Sequence, residues 1–550
     1  MRVLRIASLR AKELLSKMSL EQKIGQMLVV GIPTTTAGSM AQRLIEDYHV
    51  GGVILFRRNV QNPAQVGQLT TQLQHLARQC AGIPLIIAID HEGGIVNRFH
   101  QGVTELPANM ALGATRSPGF ASEVARIAAT ELRSMGVTAN LAPVLDVNDN
   151  PLNPVIGLRS YGEHPDLVTT LGTAYIESLQ RGGVIATAKH FPGHGSTSTD
   201  SHLGLPVVAK TRDELEKTDL VPFRAAVEKD VGMIMTAHVA FPALDDGKFI
   251  PATVSPGIVH DLLRGELGYD GVIMSDDMGM RGITQDFGPG ESAIRAVQAG
   301  VDCVLMAGEF EQQSSMYQAL LDAVRDGSIS EARIDASVLR ILRLKMEYGL
   351  FDPPWVISSE SVGSKESTSR MAAICEKAVT LVRNSAHLVP LNGSSVGRVL
   401  VISPDVLPLT EDGTILGDAI RERGVCCVDL VVDLRSTQSK ETVLGQAVQL
   451  AQDSDWLLVG TWLADSWQAS LVRALLQLGK PLIVVALGTP YDLARFPEVT
   501  TYLTVYGKTR MNVEAGAKVI FGDLSPTGAL PVSIPGLYDY GWPHHKQKTE

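Results

Sequence analysis

The sequence predicts an α/β chain in two parts. An N-terminal (β/α)8 barrel of the TIM type spans residues 1–350, a linker 351–374, and a smaller α/β sandwich domain 375–550. Three observations carry this expectation. Eight short apolar runs alternate with amphipathic stretches before about residue 310, polar residues gather where five of those runs finish, and a second alternation begins after a serine-rich stretch. Continuous β-branched runs separated by helical patterns mark a parallel sheet covered by helices, and eight of them fit a closed barrel.

In order, the runs are GQMLVVGI, GGVILF, PLIIAID, VTANLAPVLDV, VIATAKH, VGMIMTAHV, GVIMSDD and VDCVLMA. Stretches such as FASEVARIAATELRSMG and LVTTLGTAYIESLQRGG between them have helical spacing. Asp90, Asp146, Lys189 with His190, His238, and Asp276 with Asp277 stand at run ends. The C-terminal strand ends of a barrel form one mouth, so these charges are expected at one site. An isolated buried charge is too costly for five consecutive strands to carry one without purpose.

The stretch EARIDASVLRILRLKMEYGLFDPPW closes this half with a helical pattern stopped by Gly349 and Pro353-Pro354. VISSESVGSKESTS then reads as a connector. Beyond it RVLVISP, CCVDLVVD, DWLLVGTW, PLIVVALGTP and TTYLTVYG alternate with helical patterns such as KETVLGQAVQLAQ, which predicts the second domain. That domain shows no glycine-rich phosphate loop at a strand-to-helix turn and reads as a scaffold or subunit contact. The ending GWPHHKQKTE reads as a loose tail.

Composition narrows the function classes. A formal charge of −11 and a pI near 5.7 point away from nucleic acid and anionic membranes as partners, since both need a positive field. Five cysteines, Cys80, Cys303, Cys375, Cys426 and Cys427, form no CxxC pair and are odd in number, which suggests neither a zinc knuckle nor a complete disulfide framework. No stretch reaches the ~18–20 apolar residues of a membrane span. A cytoplasmic location is expected, with export open if a leader was removed.

The stretch KHFPGHGSTSTDSHLGLP admits three chemistries. His190, His194 and His202 with Asp200 have the atoms for zinc, but His190 closes a strand while His194 sits in a Pro-Gly-His-Gly turn, so the spacing argues against a metal. Ser196, Ser198 and Ser201 lie near histidines without a GxSxG elbow. In the third reading Asp200 orients His202 as a proton-transfer dyad. Such a dyad wants a partner across the reacting carbon, and Asp276 is placed to be a carboxylate nucleophile, with Asp277 supporting the following turn. Two adjacent carboxylates can also share a proton or bind a metal, so chemistry alone leaves the pair open.

Four segments, IDHEGGIVNRF, NPVIGLRSYGEHP, KHFPGHGSTSTDSH and VIMSDDMGM, in this order resemble the signature segments of glycoside hydrolase family three, in particular its bacterial β-N-acetylglucosaminidases. LPVSIP is similar to the closing segment of that family's second domain. The resemblance implies a retaining, exo-acting enzyme that removes terminal β-linked N-acetylglucosamine from peptidoglycan fragments, with a small carbohydrate as its partner and no metal or cofactor. It implies Asp276 as nucleophile and His202, assisted by Asp200, as acid and then base. It implies Asp90, Arg98, Arg159, Lys189 and His190 as sugar-binding residues.

His91 and Ile95 stand where related segments often read DQEGGRV, and Ser196 where aspartate is frequent, departures that touch loop packing and the outer rim. A β-glucosidase of the same family is an alternative in specificity, because no motif fixes the pocket around the acetamido group, and an N-acetylglucosaminide phosphorylase is another, because a neutral His202 does not repel phosphate. A metal-dependent hydrolase and a non-catalytic sugar-binding protein are alternatives of another class.

Overall fold

A computed structural model describes residues 2–99, 101–352, 362–391, 396–406, 409–410, 413–434 and 440–543. The Pro353-Pro354 stop, the first part of the connector and the His544-His545 tail lie outside the described residues.

Eight parallel strands close a barrel in chain order: β1 (Leu28–Gly31), β2 (Gly52–Leu55), β3 (Ile86–Ile89), β4 (Ala139–Asn140), β5 (Ile185–Phe191), β6 (Met233–Thr236), β7 (Val272–Asp277) and β8 (Cys303–Met306), which pairs back onto β1. Seven lie within the expected apolar runs, and β5 extends one residue past its run, to Phe191. β1, β2, β3, β5, β6 and β8 are buried along their whole length, because one face fills the barrel and the other packs under the helices. The helix Pro118–Ser134 shows how that outer layer is encoded. Ser117 caps it by accepting from Phe120 N, Pro118 occupies the first turn, and Ala121, Val124, Ala128 and Leu132 form the buried stripe.

The fourth run behaves differently from the others. Of VTANLAPVLDV, two residues pair as β4, and an isolated bridge joins Val144 to Lys189. Pro143 has no N–H to donate to a ladder, and the chain continues as buried irregular backbone toward the barrel mouth. It delivers Asp146 and the long loop 148–163 there.

The second domain is a six-stranded sheet in the order β13-β10-β14-β15-β16-β9. Its strands are β9 (Thr380–Asn384), β10 (Val399–Pro404), β13 (Cys427–Val432), β14 (Trp456–Thr461), β15 (Leu482–Ala486) and β16 (Thr501–Thr504), with a small hairpin of β11 (Leu409–Thr410) and β12 (Gly413–Thr414). Five of the six are the expected runs and pair in parallel. The sixth, β9, was not expected; it runs antiparallel along the β16 edge. It follows the helix Lys365–Ala378, which begins inside the stretch read as a connector.

This domain braces the loop after β4. Glu163 N donates to Pro531 O at 3.0 Å, and the Glu163 carboxylate accepts from Ser533 N and Ser533 Oγ at 2.8 and 2.5 Å. Arg116 donates to Tyr540 Oη and Leu530 O at 2.6 and 2.9 Å, and Asn148 Nδ2 donates to Tyr491 Oη at 3.1 Å. A buried cluster of Met110, Ala114 and Leu158 with Ala378, Tyr506 and Val532 seals the seam.

Gly113 tests how tight this seam is. In the helix Asn109–Thr115 an alanine would ordinarily stabilise by about 1 kcal/mol. Here its Cβ would lie 1.8 Å from Tyr161 O and 3.0 Å from Pro531 Cβ. Gly113→Ala is expected to lower stability by about 1–3 kcal/mol, read as a lower urea midpoint at constant slope. A midpoint unchanged or raised contradicts the packing.

Candidate active site

Strand ends deliver the polar residues to a pocket of about 430 Å3 at the barrel mouth. Asp90 and Glu92 follow β3, Lys189 and His190 lie on β5, and Asp276 and Asp277 end β7. Asp90, Arg98, Arg159, Lys189, His190, Asp200, His202 and Asp276 all line this pocket, whereas Asp146 and His238, also expected at the mouth, are fully buried behind it, on His190 and on the Asp277 carbonyl.

The floor is held by a buried ion network. Lys189 Nζ donates to Asp90 Oδ1 at 2.9 Å and lies 2.6 Å from Glu92 Oε1. Arg98 Nη2 lies 2.7 Å from Asp90 Oδ2, and Arg159 grips Glu92 with two bonds of 2.8 and 2.9 Å. Burial alone would raise both carboxyls, yet Arg159 and Lys189 hold Glu92 at about 2, and Lys189 and Arg98 hold Asp90 well below the usual carboxylate range. Burial likewise disfavours the Lys189 ammonium, and Asp90 and Glu92 reverse this so that it stays charged.

His190 is oriented from two sides. Its Nδ1 is 2.7 Å from Asp146 Oδ2, and Arg159 Nη2 is 3.3 Å from its Nε2. An arginine can only donate, so in the neutral form of the ring Nε2 accepts and Nδ1–H donates to Asp146. Asp146 Oδ1 also accepts from the backbone N–H groups of His190 and His194, tying the strand end to the following loop.

That loop explains the Pro-Gly-His-Gly turn. Gly193 has φ +142° and a Cβ there would meet the Asp219 side chain at 2.9 Å; at Gly195 it would meet Val147 O at 1.8 Å. Lys210, 2.6 Å from both Asp149 and Asp219, fixes this underside. His194 is buried, with Nδ1 2.8 Å from Thr197 Oγ1 and Nε2 3.0 Å from Ser201 Oγ, so it clips the loop at both ends. His194 is thus structural in position, and burial lowers its pKa to about 4.

Beyond the clip, His202 Nδ1 and N both bond Asp200 Oδ1, at 2.8 and 2.9 Å. The His202 side chain is 60% exposed, with no hydrogen bond to its Nε2 among the described residues. Asp276 lines the same pocket. Its Oδ1 accepts from Asp277 N at 2.8 Å. Burial opposes its ionisation, but His190, His238, the Asp277 N–H and Lys189 outweigh this and lower its pKa. Asp277 is different: burial raises it, and its Oδ1 accepts from Gly279 N and Ala307 N at 3.0 and 3.1 Å, the turn-supporting position expected.

Two residues were not assigned a role from the sequence. Glu92 bridges Lys189 and Arg159, and Asp146 orients His190. Asp146 was visible as an acid at a run end, and Glu92 lies two residues beyond one. The three histidines of the β5 loop serve separate partners, and among the described residues no group of three or more His, Cys, Asp or Glu is arranged to hold a metal ion. Of the departures, His91 is buried edge-on to Phe99, Ile95 is 43% exposed at the rim, and Ser196 Oγ is buried without a partner.

A family model described as the glycosyl hydrolase family 3 N terminal domain matches residues 19–344, and that family's C-terminal domain matches 379–549. The chain belongs to glycosyl hydrolase family 3. Among relatives of this family, β-hexosaminidase A of Pseudoalteromonas piscicida is 34% identical over 91% of this chain and 92% of its own. A β-N-acetylglucosaminidase/β-glucosidase of Cellulomonas fimi is 26% identical over 94% of each. The solved structure of a family 3 β-N-acetylglucosaminidase from Paenibacillus sp. str. FPU-7 superposes with a TM-score of 0.89 at 39% identity, covering 94% of this chain and 99% of that one.

Glu92→Gln leaves Arg159 and Lys189 facing an uncharged partner. The substitution is expected to cost about 3–5 kcal/mol in urea unfolding at neutral pH. Because the folded-state pKa of Glu92 is depressed from 4.5 to about 2, its contribution is present above the unfolded value and lost as pH falls. The stability gap between wild type and variant should therefore close between about pH 5 and pH 2; a constant gap contradicts the ion network.

Proposed function

We propose that the protein is a retaining, exo-acting β-N-acetylglucosaminidase that removes terminal β-linked N-acetylglucosamine from peptidoglycan fragments. The observation that carries the reading is that Asp276 and the Asp200–His202 dyad line one pocket at the barrel mouth. The hexosaminidase names of the relatives over nearly the whole chain support the sugar.

Each side chain has a role that its geometry supports. Asp276 is ionised, and with Oδ1 held by Asp277 N its Oδ2, which has no hydrogen-bond partner among the described residues, attacks the anomeric carbon. His202 Nε2 first gives a proton to the departing oxygen and then takes one from water, while Asp200 stabilises the imidazolium. Asp90, Arg98, Arg159, Lys189 and His190 bind the sugar hydroxyls. Charged partners discriminate strongly there, because a missing hydroxyl leaves a buried charge unpaired. Ile54, Leu141, Met235 and Leu305 add apolar surface to the same pocket beside these charged groups.

Asp276→Asn is expected to lower kcat on an aryl N-acetylglucosaminide at least about 10³-fold. His202→Ala should lose far more with a poor leaving group than with an activated phenol, since only the former needs a proton. Near-normal turnover by Asp276→Asn, or equal losses for both leaving groups in His202→Ala, contradicts these roles. Product analysis with and without phosphate separates hydrolysis, which yields N-acetylglucosamine, from phosphorolysis, which yields its 1-phosphate.

A further inference from the structure

A cleft of about 640 Å3 opens where the barrel meets the second domain. The loop after β4 forms one wall with Leu152, Pro154 and Val155. Trp462 and Leu463, directly after β14, form the other with the turn Pro490–Arg495. Ile95, Pro154 and Val155 line both this cleft and the sugar pocket, so the cleft begins at the pocket's rim. A group attached to a sugar in the pocket leads into it.

The lining is apolar and unusually bare. Ile95, Leu152 and Leu463 are 43%, 70% and 56% exposed. Exposed apolar side chains are ordinary when scattered and mark a binding surface when they gather around one concavity. The second-domain wall is fixed without any ligand. Trp462 N donates to Gln468 Oε1 at 3.2 Å, Gln468 Nε2 donates to Trp462 O at 3.0 Å, and Ala464 N donates to Asp492 Oδ1 at 2.8 Å. A wall built in advance spares the ordering cost of binding.

Arg495 adds charge to this surface. It is exposed and lines the cleft, and among the described residues its guanidinium makes no hydrogen bond or salt bridge. The acid among the lining residues, Asp492, is 3% exposed and turned to Ala464 N, so the charge offered to a ligand is the positive one. An exposed guanidinium beside an apolar wall suits a ligand with an apolar face and a carboxylate.

We propose that this cleft is an aglycone site, built by both domains, that favours substrates carrying a carboxylate beyond the scissile bond, with Arg495 as the group that meets it. The proposal rests on the function above and deepens it. A carboxylate borne by the second sugar and one borne by a peptide attached to it share this chemistry.

The test compares kcat/KM for a β-1,4-linked N-acetylglucosaminyl disaccharide whose second sugar carries a carboxylate ether with that of its methyl ester. A parallel pair carries the carboxylate on a short peptide. Wild type is expected to favour the acid over the ester by roughly fivefold in at least one pair, and the favoured pair identifies the source. Arg495→Gln should bring that ratio to about one, and Arg495→Lys should restore part of it. Equal rates on acid and ester in wild type, or a preference that survives Arg495→Gln, overturns the proposal. If wild type also cleaves p-nitrophenyl N-acetylglucosaminide, the aglycone site alone falls; if it cleaves none of these substrates, the proposed function falls with it.

Discussion

Lys189 ties two carboxylates together in the floor of the barrel mouth, and much of the molecule is arranged around that contact. Asp90, Glu92 and Lys189 come from the ends of β3 and β5, but Arg98 and Arg159 come from loops. Removing such charges from water costs several kcal/mol per ion and is offset only when every partner is in place. The loop bearing Arg159 must therefore be held. The second domain holds it, through Glu163 on Ser533 and Asn148 on Tyr491. The second domain thus serves the site by bracing the loop that carries a floor residue.

The two sides of the proposed reaction sit on supports of different stiffness. Asp276 belongs to a barrel strand and takes a fixed bond from the next residue, as a nucleophile that must meet one carbon requires. The dyad is carried on a loop that leaves His202 largely exposed, so the same imidazole has access both to a departing sugar and to incoming water. His194 limits this freedom by clipping the loop's two ends to one buried ring. Small residues at Gly193 and Gly195 let the clipped part press onto Asp219 and Val147.

The barrel was legible because burial on both faces leaves continuous apolar runs, and each of the eight strands coincides with one of them to within a residue. What the runs could not give is where pairing stops. VTANLAPVLDV reads as a long strand, yet Pro143 interrupts its ladder and frees the chain to carry Asp146 to the mouth. β9 was missed because a short half-buried edge strand after a helix has no such run. In the site, the catalytic and sugar-binding candidates that line the pocket were found from their positions at run ends and from the family resemblance. Glu92, and the role of Asp146, escaped because they act on other side chains 67 and 44 residues away, a relation that appears only when the barrel closes. The cleft beside Trp462 was equally invisible, since its two walls come from different domains.

The proposed covalent route through Asp276 fixes the stereochemistry of the first product. Proton NMR in the first minutes of hydrolysis of a β-linked substrate, before the sugar mutarotates, measures it. Two inversions at the anomeric carbon should release the β-anomer of N-acetylglucosamine first, with the α-anomer growing in later. Initial release of the α-anomer would contradict the nucleophile and the mechanism built on it.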